Sequence, residues 1–252
     1  MTGFVSCPVY LRSADLGTCA VLVDVRTGRV ETLLGWAHQV WTALARTGDP
    51  GATVEGVCAE QVDDLVRRLH ADGLLNMVAQ PRPWPVPTAV STRPSWGTQE
   101  VPAGVVPPGR TGMRITVLAC MALASVLLAR EAGPRSRSFH RIVRLLTVAT
   151  GRPRRQAEPA TVTRALHCVR NVASFLPFRI ACLEETAAAM LVLALTGRRA
   201  GWCHGIAADP IRLHAWIALD GHPVAEPAST TRYTPLLHIP DQDSARQSGE
   251  LP

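Results

Sequence analysis

The chain has 252 residues, 47% hydrophobic and 18% charged, a balance that belongs to globular domains and excludes a disordered or fibrous chain, at a length that suits two small domains. Formal net charge is +6, yet all 26 basic residues are Arg, which excludes a Schiff-base lysine, a GK[ST] phosphate loop and a Ser-Lys dyad. The Arg residues are scattered without a continuous basic helix face, so no nucleic-acid partner is expected.

The seven Cys form no C-x-x-C pair, and the N-terminus MTGFVSCPVY has neither the basic start nor the apolar core of a signal peptide. Reduced thiols and a cytoplasmic location are expected. Cys19 to Val25 is an apolar, β-rich run, Arg26 to Gly28 reads as a tight turn, and Arg29 to Leu34 alternates polar and apolar residues, which predicts a hairpin. Trp36, Val40, Trp41 and Leu44 then recur at helical spacing, as do Val62, Leu65, Val66 and Leu69 before Gly73. Strands followed by helices suggest an α+β module of winged-helix type over residues 1–79.

From 80 to 112 the composition shifts. Pro81, Pro83, Pro85, Pro87, Pro94, Pro102, Pro107 and Pro108 fall among Ser, Thr, Gly and Val, and each Pro lacks an amide donor and pushes its predecessor toward extended geometry. A semi-rigid linker is expected, followed by a second domain over 113–252. There Arg114–Arg130, Phe139–Thr150 and Thr161–Phe175 read as helices. The apolar run Ile115–Ala129 falls short of the roughly 20 residues of a bilayer span, so a buried helix and no membrane insertion are expected. Cys182–Leu195 is a breaker-free, Ala- and Leu-rich helix. Trp202–Ile206 and Arg212–Leu219 read as strands, and Asp220-Gly221 is a strong two-residue hairpin signal.

Cys182 stands where the irregular segment LPFRIA gives way to that helix. A thiol at a helix N-terminus gains from unpaired amides, which favour the thiolate. His214 lies in the strand that follows the Cys helix, where an imidazole can take the thiol proton. Two downstream carboxylates, Asp220 and Glu226, are in range to orient it; the turn already accounts for Asp220, which favours Glu226. Adjacent Cys203-His204 lacks zinc-loop spacing, so no metal is expected. Trp216 either stacks on His214 or fills the core.

The runs CLEETAAAMLVLALTGRRAGWCHGI, LHAWIALDGHPVAEP and RYTPL resemble the protease domain of lasso-peptide B proteins, a transglutaminase-like (papain-like) cysteine protease family with a Cys-His-acid triad. The resemblance spans roughly 114–239 and is specific from Cys182 to Leu236. It implies Cys182 as nucleophile, His214 as base within HAW-x-x-x-DG, and Glu226 where the family usually has Asp. The family's basic residue before the Cys is Ala181 here, and its Arg-Ser shortly afterwards is Glu185-Thr186. Upstream, VLVDVRTGRVETLLGWAHQVWTAL and RRLHADGLL resemble the precursor-recognition element of ribosomal peptide pathways. That resemblance implies a leader peptide added as a strand beside the third strand at Val30, Thr32 and Leu33, packed against a third helix at Val62, Val66 and Leu69. The implied function is leader removal without a cofactor, with the precursor and an ATP-dependent macrolactam synthetase as partners. A non-catalytic precursor escort and a transglutaminase-type acyl transferase are the competing readings.

Overall fold

In the computed structural model the described residues are 3–51, 54–90, 112–152, 155–208 and 210–239. The chain divides into two compact units, Met1–Thr92 and Arg93–Pro252.

The first unit runs β1 (Phe4–Ser6), β2 (Leu11–Asp15), β3 (Cys19–Asp24), β4 (Val30–Leu34), α1 (Trp36–Thr47), α2 (Ala59–Ala71), β5 (Asn76–Val78) and β6 (Thr88–Ala89). β2, β3 and β4 form an antiparallel meander, with β6 parallel to β2 at the far edge and β1 paired separately with β5. All six residues of β3 are buried, as a central, apolar, β-branched strand requires. The hairpin after it turns on Asp24, whose carboxylate accepts from the amides of Arg26 at 2.7 Å and Thr27 at 3.3 Å. α2 starts with a reciprocal cap in which Gln61 accepts from the Cys58 amide at 3.0 Å. Trp41, Leu22, Leu44 and Leu75 fill the core between sheet and helices.

The first part of the Pro-rich stretch belongs to this unit. The Trp84 amide donates to the Ala45 carbonyl at 2.9 Å, the Trp41 and Trp84 rings lie 5.5 Å apart, and the Val90 amide donates to Asp15 at 2.8 Å. A two-residue strand at a sheet edge tolerates neighbouring prolines because its outer amides need no ladder partner. The remainder of the stretch, 91–111, lies outside the described residues. The helix with Val62, Val66 and Leu69 is the second helix of the unit among the described residues, where a third was expected.

The second unit contains α3 (Met113–Glu131), α4 (Ser138–Thr150), β7 (Arg155–Gln156), α5 (Pro159–Ser174), α6 (Cys182–Leu195), β8 (Arg198–Arg199), β9 (Gly201–Ala207), β10 (Arg212–Leu219), β11 (His222–Pro223) and β12 (Thr234–Ile239). An antiparallel sheet in the order β11-β10-β9-β12 backs the helices. α6 is apolar on every side and is therefore the helix the others enclose, packed on α3, α4, α5 and β10. Asp220 and Gly221 both take positive φ, 49° and 81°, and join β10 to β11 with Leu219 opposite His222. These are the angles of a type I′ hairpin.

α3 departs from the expected buried helix. Ala119, Ala122, Leu123 and Val126 face the core, whereas Met113, Val117, Met121 and Leu128 are exposed, Met113 by 83%. By length and composition α3 is long and apolar enough to cross a membrane. The 3.6-residue period gives each helix two faces, and an apolar outer face leaves no sequence contrast by which to tell them apart.

Candidate active site

Cys182 is the first residue of α6, after Ala181, which offers no side-chain cap. The amides of the first turn are therefore free to serve the thiol. The Leu183 amide and the Ala215 amide of β10 both act on the Cys182 sulfur so as to favour its thiolate. The nucleophile's backbone is also fixed: the Thr186 hydroxyl donates to the Cys182 carbonyl at 2.7 Å and accepts the buried indole N–H of Trp202 at 3.0 Å. β9 thereby anchors the helix turn that carries the thiol.

His214 comes from the opening of β10. Its Nε2 lies 2.9 Å from Glu226 Oε2, and its side chain also hydrogen-bonds Cys182. With Nε2 engaged by the carboxylate, Nδ1 is the ring nitrogen left to serve the thiol. The ring sits among aromatic groups: Trp216 is stacked at 6.0 Å with an 18° interplanar angle, and Tyr233 lies 5.2 Å away. Trp216 both stacks on the imidazole and fills a small core with Cys203, Ala218 and Tyr233. Its place depends on Gly205, opposite His214 in the β9–β10 register. A Cβ there would stand 2.7 Å from Trp216 Cη2 and 2.5 Å from the Thr234 carbonyl oxygen.

Glu226 is held in the segment after β11, its side chain only 2% exposed. Besides His214 it meets the Arg170 guanidinium at 3.1 Å and the Thr230 hydroxyl at 3.5 Å. Asp220 instead accepts from the Gln156 side chain at 2.8 Å, 64 residues away in sequence. Of the two carboxylates in range, Glu226 is therefore the one on the imidazole.

The electrostatics follow from this geometry. Burial pushes the Cys182 thiol up, but the His214 hydrogen bond, the Ala215 amide, the imidazolium charge and the Leu183 amide outweigh it, and the net direction is down. Burial alone would lower His214; the hydrogen bonds and charges of Cys182 and Glu226 overcome this and raise it to about 9. Both shifts favour a thiolate–imidazolium pair. His204, packed between Phe139 and Trp202, is driven to about 4 by burial and by the charge of His214, and stays neutral. Cys203 points to the opposite face of β9, where burial pushes its thiol up to about 12. Strand alternation thus keeps Cys203 and His204 from converging on one ion.

The structure brings Cys182, His214 and Glu226 together. The sequence gives no role to Arg170, and it shows Tyr233 only as part of the RYTPL run. Arg170 borders the buried stripe Val162, Leu166, Val169 and Ala173 of α5, a weak signal on its own. In the first unit β4 is an end strand with Val30 and Thr32 outward. Leu33, Val62, Val66 and Leu69 share the core and are 9% exposed or less.

A family model of the transglutaminase-like superfamily matches residues 124–238, from within α3 to β12. That segment is a transglutaminase-like domain, a class compatible with cysteine peptidase or acyltransferase chemistry. No curated protein and no solved structure matches the chain.

Proposed function

We propose that the chain is the leader peptidase of a lasso-peptide pathway, with the first unit holding the precursor's leader and the second hydrolysing the bond between leader and core. The observation that carries the catalytic part is the Cys182–His214–Glu226 relay at the free N-terminus of α6, with the imidazole fixed by a 2.9 Å contact to a buried carboxylate. The thiolate of Cys182 attacks the scissile carbonyl. The imidazolium of His214 gives its proton to the leaving amine, and neutral His214 then takes a proton from the water that opens the acyl-enzyme. Glu226 keeps the ring oriented and supports its charge. The Leu183 and Ala215 amides stand beside the sulfur and keep the thiolate in place.

Two observations support leader binding by a winged-helix-type unit: among the described residues β4 is an end strand with its outer edge unpaired and with Val30, Thr32 and Leu34 outward, and a meander precedes two helices. Backbone pairing along β4 supplies affinity in this reading. The buried Leu33, Val62, Val66 and Leu69 contribute by shaping the sheet and helix beneath it. The partner that uses the freed core amine is an ATP-dependent macrolactam synthetase, and the protein works in the cytoplasm.

The test is mass spectrometry of a candidate precursor, encoded beside this protein, after incubation with the wild type and with Cys182→Ala. Cleavage at one internal bond by the wild type alone is the expected result. Amide products formed on adding a primary amine would move the assignment to acyl transfer. A precursor that binds yet stays intact with wild type and synthetase together would overturn the peptidase reading in favour of an escort.

A further inference from the structure

Arg170, on α5, spreads its guanidinium over three acceptors. Nε meets Glu185 Oε2 at 3.1 Å, Nη2 meets Glu226 Oε1 at 3.1 Å, and Nη1 donates to the Ala225 carbonyl at 3.4 Å. Glu185 lies in the first turn of α6, three residues after the nucleophile, and Glu226 is the carboxylate on His214. Ala225 holds a positive φ of 55° that alanine rarely adopts. One planar fork therefore ties the nucleophile's helix to the segment that carries the acid.

We infer that Arg170 is a positioning residue for this centre: by neutralising Glu185 and Glu226 together, it keeps Glu226 on the imidazole and lets the Cys182 thiolate form. The inference rests on the Cys182–His214–Glu226 reading. Without the guanidinium two carboxylates, 22% and 2% exposed on their side chains, would face each other with His214 as the remaining cation. Like charges at this depth repel with little screening. Glu185 already reports the strain: burial raises it, Arg170 lowers it, and Glu226 and Glu184 raise it again, with a net upward direction. The loss of one positive charge and the turning of Glu226 both act against the thiolate. The other charged or titratable groups facing the centre are Glu184 of α6, itself paired with Arg130, His204 of β9, Arg212 of β10, and Tyr233. None of these bridges the two carboxylates in place of Arg170. Lysine keeps the charge but not the fork, so it serves one carboxylate at a time.

The experiment is alkylation of the full-length protein by iodoacetamide across pH, read by mass spectrometry on the peptide containing Cys182, with circular dichroism melts to verify folding. It needs no peptide substrate. In Arg170→Met the midpoint for Cys182 rises by about one pH unit, because Glu226 turns from His214 and the imidazolium that supports the thiolate is weakened. Arg170→Lys falls between that variant and the wild type. Arg170→Met/Glu185→Gln recovers part of the shift, which a merely structural role would not produce. A folded Arg170→Met that titrates like the wild type, or a double variant with no recovery, overturns the inference. Should Arg170→Met fail to fold, Arg170→Lys titrating like the wild type overturns it equally. A wild-type Cys182 with an ordinary thiol midpoint would instead bring down the relay itself.

Discussion

Gly205→Ala tests whether the sheet, and not only the relay, sets the imidazole. The new Cβ would lie 2.5 Å from the Thr234 carbonyl oxygen and 2.7 Å from Trp216 Cη2. The first is ladder backbone between β9 and β12, and the second belongs to a ring 3% exposed, so neither yields cheaply. Overpacking of this kind costs about 1–3 kcal/mol, and the backbone clash puts it toward the top of that range. Gly205 is not among the positive-φ glycines, so alanine returns about 0.4–1 kcal/mol through the unfolded chain. A net loss of about 2 kcal/mol corresponds to a fall in Tm of about 4–8 °C at this domain size. Gly201→Ala, on the same strand, is the comparator. Its nearest atoms are His238 Nε2 at 3.2 Å and the Ala218 oxygen at 3.3 Å, and its Tm should stay within about 2 °C of wild type because the entropy gain offsets the mild crowding. Displaced Trp216 also ceases to back His214, so Cys182 alkylation at neutral pH slows severalfold in Gly205→Ala alone. Equal melting of the two variants, or unchanged Cys182 reactivity in a destabilised Gly205→Ala, would refute the reasoning.

Glu226→Gln keeps the shape but removes the charge 2.9 Å from His214; the imidazolium should lose its proton about 1–2 pH units earlier than in wild type, seen by NMR titration of the ring. An unmoved titration would count against the acid's role. In wild type, burial acts downward on His214 and the Cys182 and Glu226 contacts carry it up to about 9. A raised group keeps its proton until pH passes the folded value, so kcat/KM for precursor cleavage should hold through neutral pH and fall above about 9, its acid limb lying below the ordinary thiol range. Thr186→Val strands the buried Trp202 N–H at a cost of about 1–3 kcal/mol and loosens the Cys182 carbonyl, measurable by thermal melting together with the alkylation rate.

The chain order of apolar and breaker residues was enough to place α6, β10, the β3–β4 hairpin and the Asp220-Gly221 turn, because each depends on local period and backbone preference. The same local logic set Cys182 at a helix start, where free amides gather. It favours Glu226 over Asp220 only through the turn: sequence distance does not measure spatial distance, and it is Gln156, 64 residues away, that holds Asp220 and Arg170, 56 residues away, that holds Glu226. The outer face of α3 looks like core in the sequence because hydrophobicity says what prefers to leave water, not what is present to cover it. β12, with a proline at its second position, and the two-residue β6 are not legible in the sequence, since each owes its strand state to a partner distant in the chain, β9 and β2. Arg170 was invisible for that reason too: a guanidinium on a helix means nothing until the fold sets two carboxylates in front of it.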